Sequence, residues 1–297
     1  MSIFLQCIIS GIAQGAVYSL IALGYNIIYS TMRMGHFAQG DFFMIGAFFG
    51  WSALMQLHIP TLPSIGIAVI GTAILMLIVE RLVYRPMYTK AGVGLLLSTM
   101  GIQYIVQGIT KVIWGTEPKM MPAIFGEGNE TYNIPFFDSV LKISYTDLML
   151  ILICGILMLS LALFMKYTKI GVAMSAVSMN RTAAQLMGIK LTTIIATTYI
   201  TAAGLAAIAG FLMAPRFSVV FTMGTATGNQ AMTSAVMGGF GNMPGAMLGG
   251  VLMGIIEQLC AFYLSTAYKD LFIFIVMIIV LFWRPQGILG RKSITKV

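Results

Sequence analysis

Long stretches of this chain contain no Asp, Glu, Lys or Arg: residues 1–32, 42–79, 91–110, 148–165, 191–215, 217–256 and 271–283. A helix needs about 20 apolar residues to cross the hydrocarbon core. In lipid every backbone polar group must be satisfied internally, so only helices or closed barrels can span. The runs are continuous, not alternating, which excludes a β-barrel. Pro60 and Pro63 break the second run into two helices, because proline removes a donor and clashes with the preceding turn. The Gly-Pro-rich segment 238–245 divides the run 217–256. The expected architecture is an all-α, polytopic transmembrane helical bundle of about eight spans, at 6–29, 41–57, 63–82, 92–113, 146–165, 192–213, 244–264 and 268–284. A further short, discontinuous membrane element is expected near 225–240, where Gly, Thr, Asn and Gln are dense.

Composition supports lipid as the solvent. Charged residues make up 9% and hydrophobic residues 59% of the 297, whereas a soluble domain is about a quarter charged. The net charge of +8 does not indicate nucleic acid, because the basic residues are scattered between apolar runs instead of forming a patch. Cys7, Cys154 and Cys260 each sit inside an apolar run with no C-x-x-C pair, and read as small buried hydrophobes. The N-terminus has no basic region and no small-residue cleavage site before a polar domain, so residues 3–29 read as a retained span.

The basic residues fall into two alternating sets of loops. One holds Arg33, Arg81, Arg85, Lys90, Lys166, Lys169, Arg181, Lys190, Arg284, Arg291, Lys292 and Lys296, which is 12 of the 17. The other holds five basic residues with Glu117, Glu127, Glu130, Asp138, Asp147 and Asp270, six of the nine acids. The positive-inside rule makes the first set cytoplasmic. The C-terminus is then inside, and the N-terminus outside if the 225–240 element crosses. The whole chain, 1–297, reads as one membrane domain with a cytoplasmic loop at about 166–191, an external loop at about 114–145 and a cytoplasmic tail at 285–297. Four G-x-x-x-G pairs, Gly11/Gly15, Gly46/Gly50, Gly245/Gly249 and Gly250/Gly254, let helix backbones approach closely. Packing within the bundle is the simpler use for them than a dimer face.

Three segments can carry function. In the loop 166–191, Asn180 is a good N-cap, Ala183, Ala184, Leu186 and Met187 favour helix, and Gly188 can take the left-handed stop. With Arg181, they describe a short capped helix whose apolar residues have no partner in the loop. It either docks on a soluble partner or rests on lipid headgroups. In Arg33-Met-Gly-His36-Phe-Ala-Gln39-Gly-Asp41, the polar groups His36, Gln39 and Asp41 can line a pathway, or Asp41 can simply cap the second span. Glu257 is a carboxylate well inside a span, a costly placement. It can pair with Arg216 or Lys269, accept from a hydroxyl, or face a water-filled path. There is no G-x-x-x-x-G-K-[ST] phosphate loop, and two histidines, His36 and His58, make no catalytic or metal constellation. No active site, resident cofactor or metal is expected in this chain.

The order of several motifs resembles the branched-chain amino-acid ABC transporter permease family, of the LivH type. Gly15-Ala-Val-Tyr-Ser-Leu-Ile-Ala-Leu-Gly24 is similar to that family's first span, and Phe37-Ala-Gln-Gly-Asp-Phe-Phe-Met-Ile-Gly-Ala47 to its second-span entry. Glu80-Arg-Leu-Val-Tyr-Arg-Pro86, Gly238-Gly-Phe-Gly-Asn-Met-Pro-Gly-Ala246, Tyr263-Leu-Ser-Thr-Ala-Tyr-Lys-Asp270 and Pro285-Gln-Gly-Ile-Leu-Gly290 follow at the family's spacing. The resemblance implies a transporter subunit, not an enzyme, in a prokaryotic cell membrane. Its implied partners are a homologous second permease, two cytoplasmic ATPase subunits that bind ATP and magnesium, and an extracytoplasmic substrate-binding protein. It also implies that the 180–188 helix docks on the ATPases. Branched-chain amino acids are the implied substrates, with urea or small amides as the alternative. A secondary transporter driven by an ion gradient is the rival from another class. The chain departs from the family pattern at His36, Gln39 and Asp41, where Asn, His and Glu are common. It departs again at Asn180-Arg181, where an acid is common.

Overall fold

A computed structural model describes residues 2–88, 92–124, 131–136 and 139–290. Of the residues used to orient the chain, Lys90, Glu127, Glu130, Asp138, Arg291, Lys292 and Lys296 lie outside these ranges, as do 291–297 of the expected tail. Eleven α-helices dominate the described residues: α1 (Ser2–Met32), α2 (Gln39–Trp51), α3 (Thr61–Val79), α4 (Gly92–Trp114), α5 (Tyr145–Tyr167), α6 (Lys169–Met179), α7 (Arg181–Leu186), α8 (Leu191–Met213), α9 (Met223–Gly238), α10 (Met243–Tyr263) and α11 (Lys269–Trp283). π-helical turns, Ser52–Gln56 and Glu80–Tyr84, continue α2 and α3. Among the described residues, six helices, α1, α3, α4, α5, α8 and α10, are long and apolar enough to cross a membrane. The expected spans 41–57 and 268–284 are shorter helices, α2 with its π turn and α11.

Burial separates the bundle into a centre and a rim. In α1 and α8, 78% and 67% of the apolar window is buried, against 17% in α5. The difference marks α1 and α8 as protein-surrounded and α5 as lipid-facing. All four glycine pairs are used inside the bundle. A methyl group at Gly15 would sit 2.7 Å from Gly250 O, and one at Gly254 only 2.3 Å from Gly11 O. The backbones of α1 and α10 are therefore in direct contact. Gly46 meets the Ala207 backbone of α8 in the same way, and Gly50 makes room for the Phe211 ring. The three cysteines are free thiols within helices.

Three features depart from the sequence expectation. First, α2 does not begin at the membrane boundary. Gln39 Nε2 donates to Ala202 O at 2.8 Å, and Ala202 lies about 16 Å up α8 from Leu191 at a rise of 1.5 Å per residue. Residues 33–38 therefore climb into the bundle without helix, and α2 starts deep within it. Second, α9 is short but not discontinuous. It is one unbroken helix of 16 residues, about 24 Å long against a hydrocarbon core of about 30 Å. Its polar side chains are compatible with helix because they bond back to the preceding turn: Thr233 Oγ1 to Asn229 O and Ser234 Oγ to Gln230 O, at 2.8 and 2.7 Å. It stops at Gly239, whose φ of +106° suits only glycine. Its terminal carbonyls, Met237 O and Gly238 O, accept from Ile288 N and Leu289 N at 2.8 and 3.2 Å. Third, the segment between α4 and α5 contains an antiparallel hairpin, β1 (Thr131–Phe136) and β2 (Ser139–Ser144), in which Thr131 pairs with Ser144.

Candidate functional site

The deep start of α2 brings together polar side chains of α2, α4 and α9. Asp41, in the first turn of α2, is fully buried. That position favours a carboxylate, because the helix amides present partial positive charge there. Asp41 Oδ1 accepts from Gln107 Nε2 of α4 at 2.7 Å. The same amide donates to Thr225 Oγ1 of α9 at 2.6 Å, and Gln103 Nε2 reaches that hydroxyl at 3.1 Å. Asp41 Oδ2 and Gln39 Oε1 are buried with no hydrogen-bond partner among the described residues. The two ion pairs among the described residues are Arg216–Asp147 and Lys269–Glu257, so neither gives Asp41 a counter-ion. Glycine makes this junction possible, since a methyl at Gly40 would lie 2.2 Å from Gly224 O.

His36 lies buried just before that start. Its Nε2 is 3.0 Å from Tyr84 Oη, and its ring packs edge-on to Tyr84 and Tyr199, with centroids 5.2 and 5.3 Å away. Its Nδ1 has no hydrogen-bond partner among the described residues. The structure thus brings His36, Gln39 and Asp41 into one region, with Gln103, Gln107, Thr225, Tyr84 and Tyr199, which the sequence reading did not single out. One clue was available: Gln103 and Gln107 are four apart in a charge-free run, so they share a helix face. Both are half-buried and Asn229 of α9 is exposed, which leaves amides and hydroxyls on an outer surface whose neighbours Tyr104, Ile105 and Ile109 are exposed apolar residues.

Glu257 is elsewhere and in different company. Lys269 Nζ donates to its Oε1 at 2.5 Å and Tyr18 Oη to its Oε2 at 2.6 Å. Of the alternatives open from sequence, pairing with Lys269 and acceptance from a hydroxyl both hold. Arg216 pairs instead with Asp147, at 2.6 Å. The Glu257 side chain is 3% exposed. Gln230 Nε2 adds a bond to Asp270 Oδ1 at 3.1 Å.

The short helix α7 forms as its caps predict. Asn180 Oδ1 accepts from Ala183 N at 3.0 Å. At the other end Gly188 has φ +85°, and Gly188 N and Ile189 N donate to Gln185 O and Ala184 O at 2.9 and 3.1 Å. This is the paired closure of a left-handed helix stop. Ala184 is buried and seats α7 on the bundle, while Leu186 and Met187 are each 84% exposed and Ala183 is exposed. Arg181 does not share that outer face. Its guanidinium turns inward and donates through Nε to Thr31 O at 2.9 Å, with Nη2 on the same oxygen.

The profile of the family described as branched-chain amino acid transport system, permease component, matches residues 7–281. The chain is 34% identical over 305 residues to the high-affinity branched-chain amino acid transport system permease protein LivH of Escherichia coli, covering 99% of this chain and 98% of that protein. It is 32% identical to the corresponding BraD of Pseudomonas aeruginosa, again over 99% and 98%. A probable LivH of Methanocaldococcus jannaschii is 28% identical, over 94% of this chain and 92% of that one. No solved structure matches the chain.

Proposed function

We propose, because the chain belongs to the family of permease components of branched-chain amino-acid transport systems, that it is the membrane subunit of an ATP-driven importer of branched-chain amino acids. It pairs with a homologous permease. Two cytoplasmic ATPase subunits bind ATP and magnesium and dock on α7. An external binding protein delivers the substrate. The chain lies in a prokaryotic cell membrane with its C-terminus in the cytoplasm.

The observation that carries this reading is the surface formed by α4 and α9. Gln103, Gln107, Thr225 and Asn229 place amides and hydroxyls on the outside of membrane-embedded helices. Lipid cannot satisfy such groups, but a second permease or a polar path between the two can. Behind them lies Asp41 with a free oxygen, suited to an ammonium group or to a proton. On the cytoplasmic side, Leu186 and Met187 supply an apolar face for a groove on the ATPases, each worth about 1.5–3 kcal/mol when buried.

The test is uptake of labelled leucine by the complex purified from its own cells in proteoliposomes. ATP-driven uptake that survives collapse of all ion gradients supports the reading. Uptake driven by an imposed gradient without ATP would establish the secondary-transport rival, which Asp41 Oδ2 alone favours. Urea transported in preference to leucine would move the substrate class. Replacing Leu186 and Met187 with Asp is expected to remove the ATPase subunits from the purified complex.

A further inference from the structure

The end of α1 and the corner between α6 and α7 are joined by two arginines that cross. Arg181, the first residue of α7, donates through Nε and Nη2 to Thr31 O in the last turn of α1. Arg33, one residue beyond α1, donates through Nη2 to Ser178 O in the last turn of α6 at 2.8 Å. Both acceptors are carbonyls that a helix end leaves without an internal partner. Both cations sit where the helix dipole is negative. Neither takes part in the ion pairs among the described residues. Burial, and next the charge of Arg33, pull the Arg181 pKa below the ordinary guanidinium value. Two like charges are thus held side by side, each anchored to the other segment's carbonyl. Arg33 itself has φ +58°, a left-handed conformation unusual for a side-chain-bearing residue, closed by its N–H on Tyr29 O at 2.7 Å.

We propose that Arg181 and Arg33 are the positioning residues that carry movement of α7 into the membrane helices: the crossed links make α7 and α1 move together. α1 is the right element to pull on. It touches α10 backbone to backbone through Gly11, Gly15, Gly250 and Gly254. It also carries Tyr25, whose hydroxyl lies against Gly228 of α9, beside the start of α2. A short helix seated only by Ala184 could tilt in place; one fixed to α1 through Thr31 O cannot do so without moving α1. The inference rests on the reading that α7 docks on ATPase subunits. It assigns Arg181 to the membrane side of that joint, leaving contact with the ATPases to Leu186 and Met187.

The experiment uses the complex purified through this chain and reconstituted in proteoliposomes, with ATPase recovery, ATP hydrolysis and labelled-leucine uptake read separately. Arg181→Ala should retain the ATPase subunits and hydrolyse ATP within about twofold of the parent, while leucine transported per ATP falls about tenfold, an ordinary size for a coupling energy. Arg181→Lys keeps a donor for Thr31 O and should recover most of the loss. Arg33→Ala frees only Ser178 O and should give a smaller fall; it carries the test if Arg181→Ala fails to reach the membrane. Unchanged leucine per ATP in both alanine variants overturns the linkage. So does loss of the ATPase subunits from Arg181→Ala, which would make Arg181 a contact residue. A parent complex without ATP-driven uptake fails the proposed function itself, whereas a working parent with equally efficient variants fails only the linkage.

Discussion

Glu257 and Asp41 are both carboxylates buried among membrane helices, and they differ in what surrounds them. Glu257 has a lysine on one oxygen and a tyrosine hydroxyl on the other. Asp41 has the Gln107 amide on one oxygen and, among the described residues, no hydrogen-bond partner on the other. Removing a charge from water is costly unless it is paired and bonded. Around Glu257 that cost is met by α1, α10 and the start of α11, so the cluster ties three elements together. Around Asp41 it is left partly unmet, which stability alone does not explain. The Glu257 cluster needs no further partner, whereas the open Oδ2 of Asp41 is the group that the proposed polar path would use.

The comparison can be broken most sharply at Lys269. Lys269→Met leaves Glu257 buried without a cation. Breaking a buried pair costs about 3–5 kcal/mol, and the lower figure applies because the Lys269 side chain is 32% exposed. The midpoint of thermal unfolding in nanodiscs should fall markedly, with transport lost only in proportion to unfolded protein. A variant as stable as the parent would show that Glu257 does not depend on its lysine. Asp41→Asn should do the opposite. The amide keeps an oxygen for Gln107 and removes an unpaired charge, so stability should stay within about 1 kcal/mol or rise. Leucine uptake should nevertheless fall about tenfold, equivalent to about 1.4 kcal/mol. Full uptake by this variant would make Asp41 a mere helix-start residue. Thr225→Val is the smallest change, deleting the acceptor shared by Gln103 and Gln107. About 1 kcal/mol of stability should be lost, and Asp41→Asn in the same background should cost less than it does alone, as expected of neighbours in one network. Strict additivity in that double variant would show that the three groups do not act together.

The two regions were not equally readable from sequence. Charge-free runs locate α1, α3, α4, α5, α8 and α10, because the length and solvent requirements of a membrane helix act locally. Pro60 marks the turn before α3 and Gly188 the stop of α7 for the same reason. Glu257 draws attention as a lone charge in an apolar run, and its partner Lys269 is only twelve residues on. The surroundings of Asp41 are non-local. Gln107 and Thr225 belong to helices 66 residues and more away along the chain, and no spacing rule connects them. The depth of α2 is hidden as well, since residues 34–38 carry no charge to mark a boundary and the fixing contact, Gln39 to Ala202 O, is a side chain meeting a backbone. The unbroken course of α9 was obscured by its composition: Thr and Ser weaken helices in water, yet in α9 they bond to its own carbonyls.

The way α9 ends has a consequence for how the protein is made. Its last carbonyls, on Met237 and Gly238, are closed by amides of Ile288 and Leu289. Asn242 Nδ2 fastens the same strip by donating to Leu289 O at 2.6 Å. These donors are synthesised about fifty residues after their acceptors, with two helices inserted in between. During translation α9 must therefore wait in the bilayer with its lower end open. The finishing step comes only when α11 has threaded and residues 285–290 fold back beneath it. Sealing of α9 is thus completed by residues 285–290, and a ribosome stalled before that strip would hold an inserted but unsealed bundle.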